Sequence, residues 1–140
     1  MAITREQILT EARSFLGTRF LHQGRTRDGV DCVGLLYAVA SALGYDTVDL
    51  RAYSRTPQPA IMGDLLARNA DEIPLADIRP GDILWMRLGG VKPRHTAFVE
   101  SIGDTPSILH AATNGVRVQP FSDFPKQWFY KAFRMRGVID

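Results

Sequence analysis

Residues 31–43 read DCVGLLYAVASAL and decide the fold, because they predict a central, buried helix. Asp31 is a good N-cap, and Gly44 ends the apolar run. The single cysteine, Cys32, begins this helix, where free backbone amides and the helix dipole lower the pKa of a thiol. The charge of Asp31 opposes that effect, so a reactive thiol here also needs a base. Gly34 is expected to leave room beside the sulfur for an incoming carbonyl group.

The rest of the first half predicts helices joined by loops. Residues 4–16 open with a Thr-x-x-Gln capping box and carry apolar residues at helical spacing, which predicts a first helix. Residues 17–30 and 45–58 have the glycine and proline content of loops, and 60–70 predict a short helix.

After Pro74 the apolar pattern changes to a period of two, which is typical of strands. The predicted strands are Ile83–Met86, His95–Glu100, Ile108–Ala112, Val116–Phe121 and Tyr130–Met135. Helices followed by an antiparallel sheet of about five strands define an α+β fold. We expect residues 1–140 to form a single domain.

The composition excludes several classes of protein. The 17 Lys and Arg residues against 15 Asp and Glu give a net charge of +2, without the basic run typical of nucleic-acid binding. One cysteine forms neither an internal disulfide nor a four-cysteine metal site. No segment approaches the roughly 20 apolar residues of a membrane helix, and the N-terminus lacks the apolar core of a secretory signal. We therefore expect a protein made in the cytoplasm without a signal peptide, with no nucleic-acid partner and no membrane insertion.

Two of the three histidines fall on neighbouring predicted strands. If Glu100 pairs with Ser107 across a six-residue loop, Ala97 lies opposite His110, and His95 lies diagonally on the same face. An odd-length loop would turn His110 to the other face. With Cys32, the pair fits a nucleophile, a base and a group that orients the base. A lone cysteine is otherwise an ordinary small apolar residue, and a histidine pair by itself is more often structural.

Five ordered blocks of sequence resemble the NlpC family of bacterial cell-wall cysteine peptidases, whose fold is a trimmed papain-like α+β domain. The blocks are G-T-R-F, D-C-V-G-L-L, R-P-G-D-I-L-W, R-H-T-A-F-V and I-L-H-A-A-T-N-G-V, and they span about Ala12 to Val118. The first block continues into H-Q-G, which is similar to phage-tail-associated members of the family.

The resemblance implies that Cys32 is the nucleophile, His95 the general base and acid, and His110 the residue that orients His95. It also implies a peptidoglycan substrate, cleaved at the stem-peptide bond from γ-D-glutamate to diaminopimelate or lysine. The Cys32 amide would be one oxyanion donor. We expect no cofactor and no metal, since the histidines and Cys32 lack the short paired spacings of zinc sites.

Two departures from the family pattern bear on substrate binding. Phe20 stands where the family commonly has a Tyr whose hydroxyl helps bind the substrate or the oxyanion. His22 or Gln23 could replace that hydroxyl, and we favour the Gln23 amide. Val33 stands where members that trim free N-termini use a Ser, together with the equivalent of Asp31, to hold the substrate amine. Cleavage within intact wall is therefore favoured over peptide recycling.

A wall hydrolase without a signal peptide has to reach the wall by another route. Together with the H-Q-G resemblance, this predicts a component of a phage tail or a gene-transfer particle, with other tail or baseplate proteins as partners. The main alternative is a catalytically weak or inactive tail-tip or baseplate protein that keeps the peptidase fold. A third possibility is an acyltransferase or amidase that forms the same thioester.

Overall fold

Three α-helices occur in the part of the chain that the computed structural model describes, which is residues 2–49, 53–55 and 57–140. None of the helices in these ranges is long and apolar enough to cross a membrane. The helices are α1 (Arg5–Arg13), α2 (Cys32–Ala42) and α3 (Pro59–Asn69).

The predicted capping box is present at the start of α1. The Thr4 hydroxyl accepts from the Gln7 amide at 3.1 Å, and the Gln7 side chain accepts from the Thr4 amide at 2.8 Å. The predicted end at residue 16 is wrong, since the helix stops at Arg13 and the chain turns so that Phe15 is buried while Leu16 stays exposed.

In the described ranges six strands form the main sheet, in the order β4-β9-β5-β6-β7-β8, and each neighbouring pair is antiparallel. Two smaller pairs lie outside it, β1 with β10 in parallel and β2 with β3 antiparallel. The strands are β1 (Ile3–Thr4), β2 (Arg25–Thr26), β3 (Gly29–Val30), β4 (Ala70–Ile73), β5 (Ile83–Met86), β6 (His95–Ser101), β7 (Ser107–Ala112), β8 (Gly115–Pro120), β9 (Phe129–Met135) and β10 (Val138–Ile139).

The predicted strands correspond to β5–β9, each within one residue at either end. The sequence missed β4, which directly follows α3 and pairs with β9 at the edge of the sheet. Its residues Asp71 and Glu72 are exposed and charged, so β4 lacks the apolar alternation by which a strand is recognised.

The sheet buries apolar side chains on both faces. One face packs against α2, and its residues include Ile83, Trp85, Phe98, Leu109, Val116 and Phe133. The other face carries Leu84, Met86, Ala97, Val99, Ile108 and Ala132, covered by Phe121, Phe124 and Phe129. Because side chains alternate along a strand, Thr96 belongs to the face toward α2, and His95 and His110 belong to the opposite face.

The hairpin of β6 and β7 has the predicted register where the histidines lie. Phe98 pairs with Leu109 and Val99 pairs with Ile108. The same register, continued by one residue, places Ala97 opposite His110. The predicted closing pair is wrong, because a β-bulge lets Ser101 rather than Glu100 pair with Ser107.

Candidate active site

Cys32 lies at the first position of α2 and is only 8% exposed. Burial raises the pKa of its thiol, and the charge of Asp31 adds to that rise, while the amide and hydroxyl of Thr96 and the amide of Val33 oppose it. The predicted fall in the Cys32 pKa is therefore wrong, because loss of water outweighs the amides at the helix end. The resting thiol keeps its proton at neutral pH.

Thr96 brings the thiol to the start of β6. It follows His95 in the chain and is 1% exposed. Within the described ranges its hydroxyl oxygen has no hydrogen-bond partner. A buried hydroxyl without a partner is uncommon, and this one lies where negative charge develops when the thiol ionises.

His95 and His110 form a buried pair. His95 Nε2 and His110 Nδ1 are 2.7 Å apart, and the rings meet edge to face with centroids 4.9 Å apart. Burial and the charge of His110 lower the pKa of His95 to about 3. Burial also lowers the pKa of His110. The hydrogen bond to Gln119 raises this pKa, and the charge of Arg117 lowers it further. Both rings are therefore neutral at pH 7.

The hydrogen bonds continue beyond His110 to residues that sequence reasoning missed. His110 Nε2 lies 2.6 Å from Gln119 Oε1, and Gln119 Nε2 donates to Asp123 Oδ2 at 3.2 Å. A signal for Gln119 exists in the sequence. A two-residue turn after β7 places Arg117 opposite His110, so Gln119 lies on the same face two residues further along β8.

Asp31 is a buried junction between α2 and the loop that precedes it. It is 3% exposed and accepts four hydrogen bonds. The donors are the Gly34 amide at 2.7 Å, the Gln23 amide at 2.8 Å, Arg25 Nη1 at 3.3 Å and the Tyr53 hydroxyl at 2.5 Å. Burial, and then the bond to Asp31, raise the pKa of Tyr53, which keeps its hydroxyl a donor.

The residues predicted to bind substrate fall into two groups. His22 meets the Tyr53 ring edge-on with centroids 5.5 Å apart, and Gln23 Nε2 donates to the Tyr53 carbonyl at 3.0 Å, so both lie close to Asp31. Phe20 instead packs against the core, and Val33 is 4% exposed within it. The sequence missed Tyr53, because it lies in a predicted loop without any periodic signal.

Gly34 does not open space for a substrate, contrary to expectation. A Cβ at this position would lie 1.8 Å from the Gly24 carbonyl oxygen. The glycine therefore allows the loop before α2 to pack directly on the helix, which positions Gln23 and Arg25 around Asp31.

Within the described ranges, no group of three or more His, Cys, Asp or Glu side chains is placed to hold a metal ion. The arrangement combines a thiol that lies against Thr96, a neutral histidine that precedes Thr96 on β6, and a second histidine hydrogen-bonded to the first, which are the groups that catalysis by a thiol nucleophile requires.

Residues 17–134 match the model of the NlpC/P60 family, and the chain belongs to that family. Its members are generally cysteine peptidases and peptidoglycan hydrolases.

Solved structures share the fold. The NlpC/p60 domain of the peptidoglycan hydrolase SagA superposes with a TM-score of 0.68 at 22% identity, over 95% of this chain and 100% of that domain. NlpC1 from Trichomonas vaginalis gives 0.67 at 22% identity, over 94% of this chain and 43% of that one. An NlpC/P60 family protein from Bacillus cereus superposes with a TM-score of 0.69 at 20% identity, over 96% of this chain and 41% of that protein. The predicted α+β NlpC-type fold is confirmed.

Proposed function

We propose that the protein is a cysteine endopeptidase that cleaves amide bonds in peptidoglycan stem peptides through a thioester. The observation that carries this proposal is the buried pair of His95, at the start of β6, and His110 on β7, together with the Cys32 thiol at the start of α2, which lies against Thr96, the residue that follows His95. Membership of the NlpC/P60 family supports cell-wall peptidase activity in general.

In the first half of the reaction, the Cys32 sulfur attacks the amide carbonyl carbon while its proton passes to His95. Because the thiol has a raised pKa and His95 a lowered one, this proton moves during the attack rather than before it. The backbone amide of Cys32, free at the helix start, donates to the oxyanion. His95 then gives the proton to the leaving amine, the C–N bond breaks and a thioester remains.

In the second half, a water molecule attacks the thioester carbonyl and loses its proton to His95. The C–S bond breaks, the proton returns to the sulfur, and the product leaves with a new carboxyl group. His110 holds the ring of His95 in place through both halves by the bond at 2.7 Å.

We propose the bond from γ-D-glutamate to diaminopimelate or lysine within intact wall as the site of cleavage. Asp31 supports the choice of intact wall, because its carboxylate already accepts from Arg25, Tyr53 and two backbone amides and is 3% exposed. It is not available to hold the free amine of a recycled peptide. The buried side chain of Val33 offers no hydroxyl for that role either.

The test compares the wild type with Cys32→Ala on purified peptidoglycan, with Asp104→Asn as a control in the exposed loop at the far end of the β6–β7 hairpin. New amine termini should appear with the wild type and the control, and not with Cys32→Ala. Mass spectrometry of the released peptides identifies the bond. Equal release by all three proteins would refute the assignment of the nucleophile.

We further propose that the protein acts in the tail of a phage or gene-transfer particle, a setting supported by the H-Q-G continuation of the first block. Its partners would be other tail or baseplate proteins. Particles that carry Cys32→Ala should assemble and contain the protein but deliver DNA poorly. Normal delivery would favour the alternative of a structural tail protein that keeps the fold, and absence of the protein from purified particles would refute the setting.

A further inference from the structure

A histidine in the third position of a catalytic triad leaves one question open that a carboxylate does not. A carboxylate only accepts hydrogen bonds, so it determines which nitrogen of the base carries the proton. Neutral His110 either accepts from His95 Nε2 or donates to it, depending on its own tautomer. Only the first arrangement leaves His95 Nδ1 without a proton and able to accept one from a thiol.

The residues beyond His110 remove this ambiguity. Asp123 is a carboxylate and accepts, so the Gln119 atom that faces it is the amide nitrogen, at 3.2 Å. The Gln119 oxygen then faces His110 Nε2 at 2.6 Å, and that nitrogen must carry the proton. His110 Nδ1 is left as an acceptor, and His95 Nε2 donates to it at 2.7 Å.

We infer that Gln119 and Asp123 are positioning residues that set the tautomer of His95, acting through His110. The chain of acceptors runs from the Asp123 carboxylate at the surface to the buried base, and each bond determines the direction of the next. The inference rests on the proposed function for its catalytic meaning, but the tautomers themselves do not depend on activity.

Among the described residues around His110, Gln119 is the acceptor on the Nε2 side. His95 approaches from β6, Arg117 and Gln119 from β8, and the Phe124 ring packs edge-on with centroids 6.1 Å apart. The Arg117 guanidinium is a cation and cannot accept a hydrogen bond. Its charge also opposes protonation of His110, which would turn Nδ1 into a donor.

The direct test is two-bond proton–nitrogen NMR of the histidine rings at pH 7.5, in protein labelled with ¹⁵N-histidine and without substrate. In the wild type, both His95 and His110 should show the proton on Nε2. Gln119→Leu should give a mixture or the opposite tautomer, whereas Gln127→Leu, the same change at an exposed glutamine, should match the wild type. Unchanged tautomers in Gln119→Leu would overturn the inference.

Activity supplies the second readout. Gln119→Leu should lower kcat/KM about 100-fold, the lower range of what general acid–base catalysis contributes. The pair Gln119→Glu with Asp123→Asn keeps the acceptor toward His110 and should recover most of the activity. In this double variant the fall of kcat/KM on the acidic side of the pH profile should move to higher pH, because a carboxylate next to His110 raises the pKa of that histidine.

The outcomes separate this inference from the proposed function. Altered tautomers in Gln119→Leu combined with an inactive wild type would leave the inference standing and remove the proposed function. A wild type that cleaves, with Gln119→Leu equally active and unshifted in its pH profile, would show that Gln119 only packs against His110.

Discussion

Mild acid should destabilise this protein before its carboxyl groups titrate, because folding requires His95 to be neutral. The pKa of His95 falls from an ordinary 6.5 to about 3 through burial and the charge of His110. Between these two values the unfolded chain binds a proton that the folded protein does not, so the free energy of unfolding falls as the pH falls. The stabilisation is complete above pH 6.5 and is lost progressively as the pH falls toward 3.

The size of the effect follows from the unfolded state. One pKa unit corresponds to about 1.4 kcal/mol, and pH 5 lies about 1.5 units below the ordinary histidine pKa. The loss from His95 between pH 7.5 and pH 5 is therefore about 2 kcal/mol. This figure holds for any folded pKa below about 4, so it does not depend on how strongly burial acts. The lowered pKa of His110 adds a loss of the same sign.

Urea unfolding of the wild type and of His95→Gln at pH 7.5 and pH 5 measures the effect. Between pH 7.5 and pH 5 the free energy of unfolding of the variant should fall by about 2 kcal/mol less than that of the wild type, whatever the stability of the variant at pH 7.5. His22→Gln, which changes a half-buried histidine in the loop before α2, is the matched control and should keep the wild-type dependence. Equal losses in the wild type and His95→Gln would refute the reasoning.

Three substitutions test the packing around the thiol. Thr96→Val removes a buried hydroxyl without a partner, so the free energy of unfolding should rise by about 1 kcal/mol. Because that hydroxyl lowers the pKa of Cys32, the pH midpoint of Cys32 alkylation should also move higher, and an unchanged midpoint would show that Thr96 does not stabilise the thiolate. Tyr53→Phe deprives the buried Asp31 carboxylate of a donor and should cost about 2 kcal/mol in urea unfolding, and a neutral result would mean that Asp31 is not enclosed as described. Gly34→Ala places a Cβ 1.8 Å from the Gly24 carbonyl oxygen and should lower the free energy of unfolding by about 3 kcal/mol. An unchanged midpoint of thermal unfolding would contradict this close contact.

The elements that local pattern controls were predictable. The α2 helix has its N-cap and apolar run in adjacent residues, and β5–β9 carry most of the apolar residues of the second half of the chain in short runs separated by turns. The edge strand β4 and the parallel pair of β1 with β10 were not predictable, because both depend on partners more than 50 residues away along the chain. Neither carries an apolar pattern of its own.

The candidate site divides in the same way. The proximity of His95 and His110 followed from hairpin register, which is a local property of two adjacent strands. The roles of Arg25 and Tyr53 around Asp31 were hidden, because they arise from loops that meet only when the chain is folded. The sign of the Cys32 pKa shift was also hidden, since burial is a property of the packed protein.

The sequence by itself determined the family, the order of helices and strands, and the set of one cysteine and two histidines. These follow from periodicity and from short blocks whose residues act on their immediate neighbours. Only the tertiary structure decided the protonation of the site. The neutral thiol of Cys32 and the neutral rings of His95 and His110 depend on which groups lose water on folding. The direction of the hydrogen bonds between the histidines, which Gln119 and Asp123 determine, depends on which oxygens face which nitrogens.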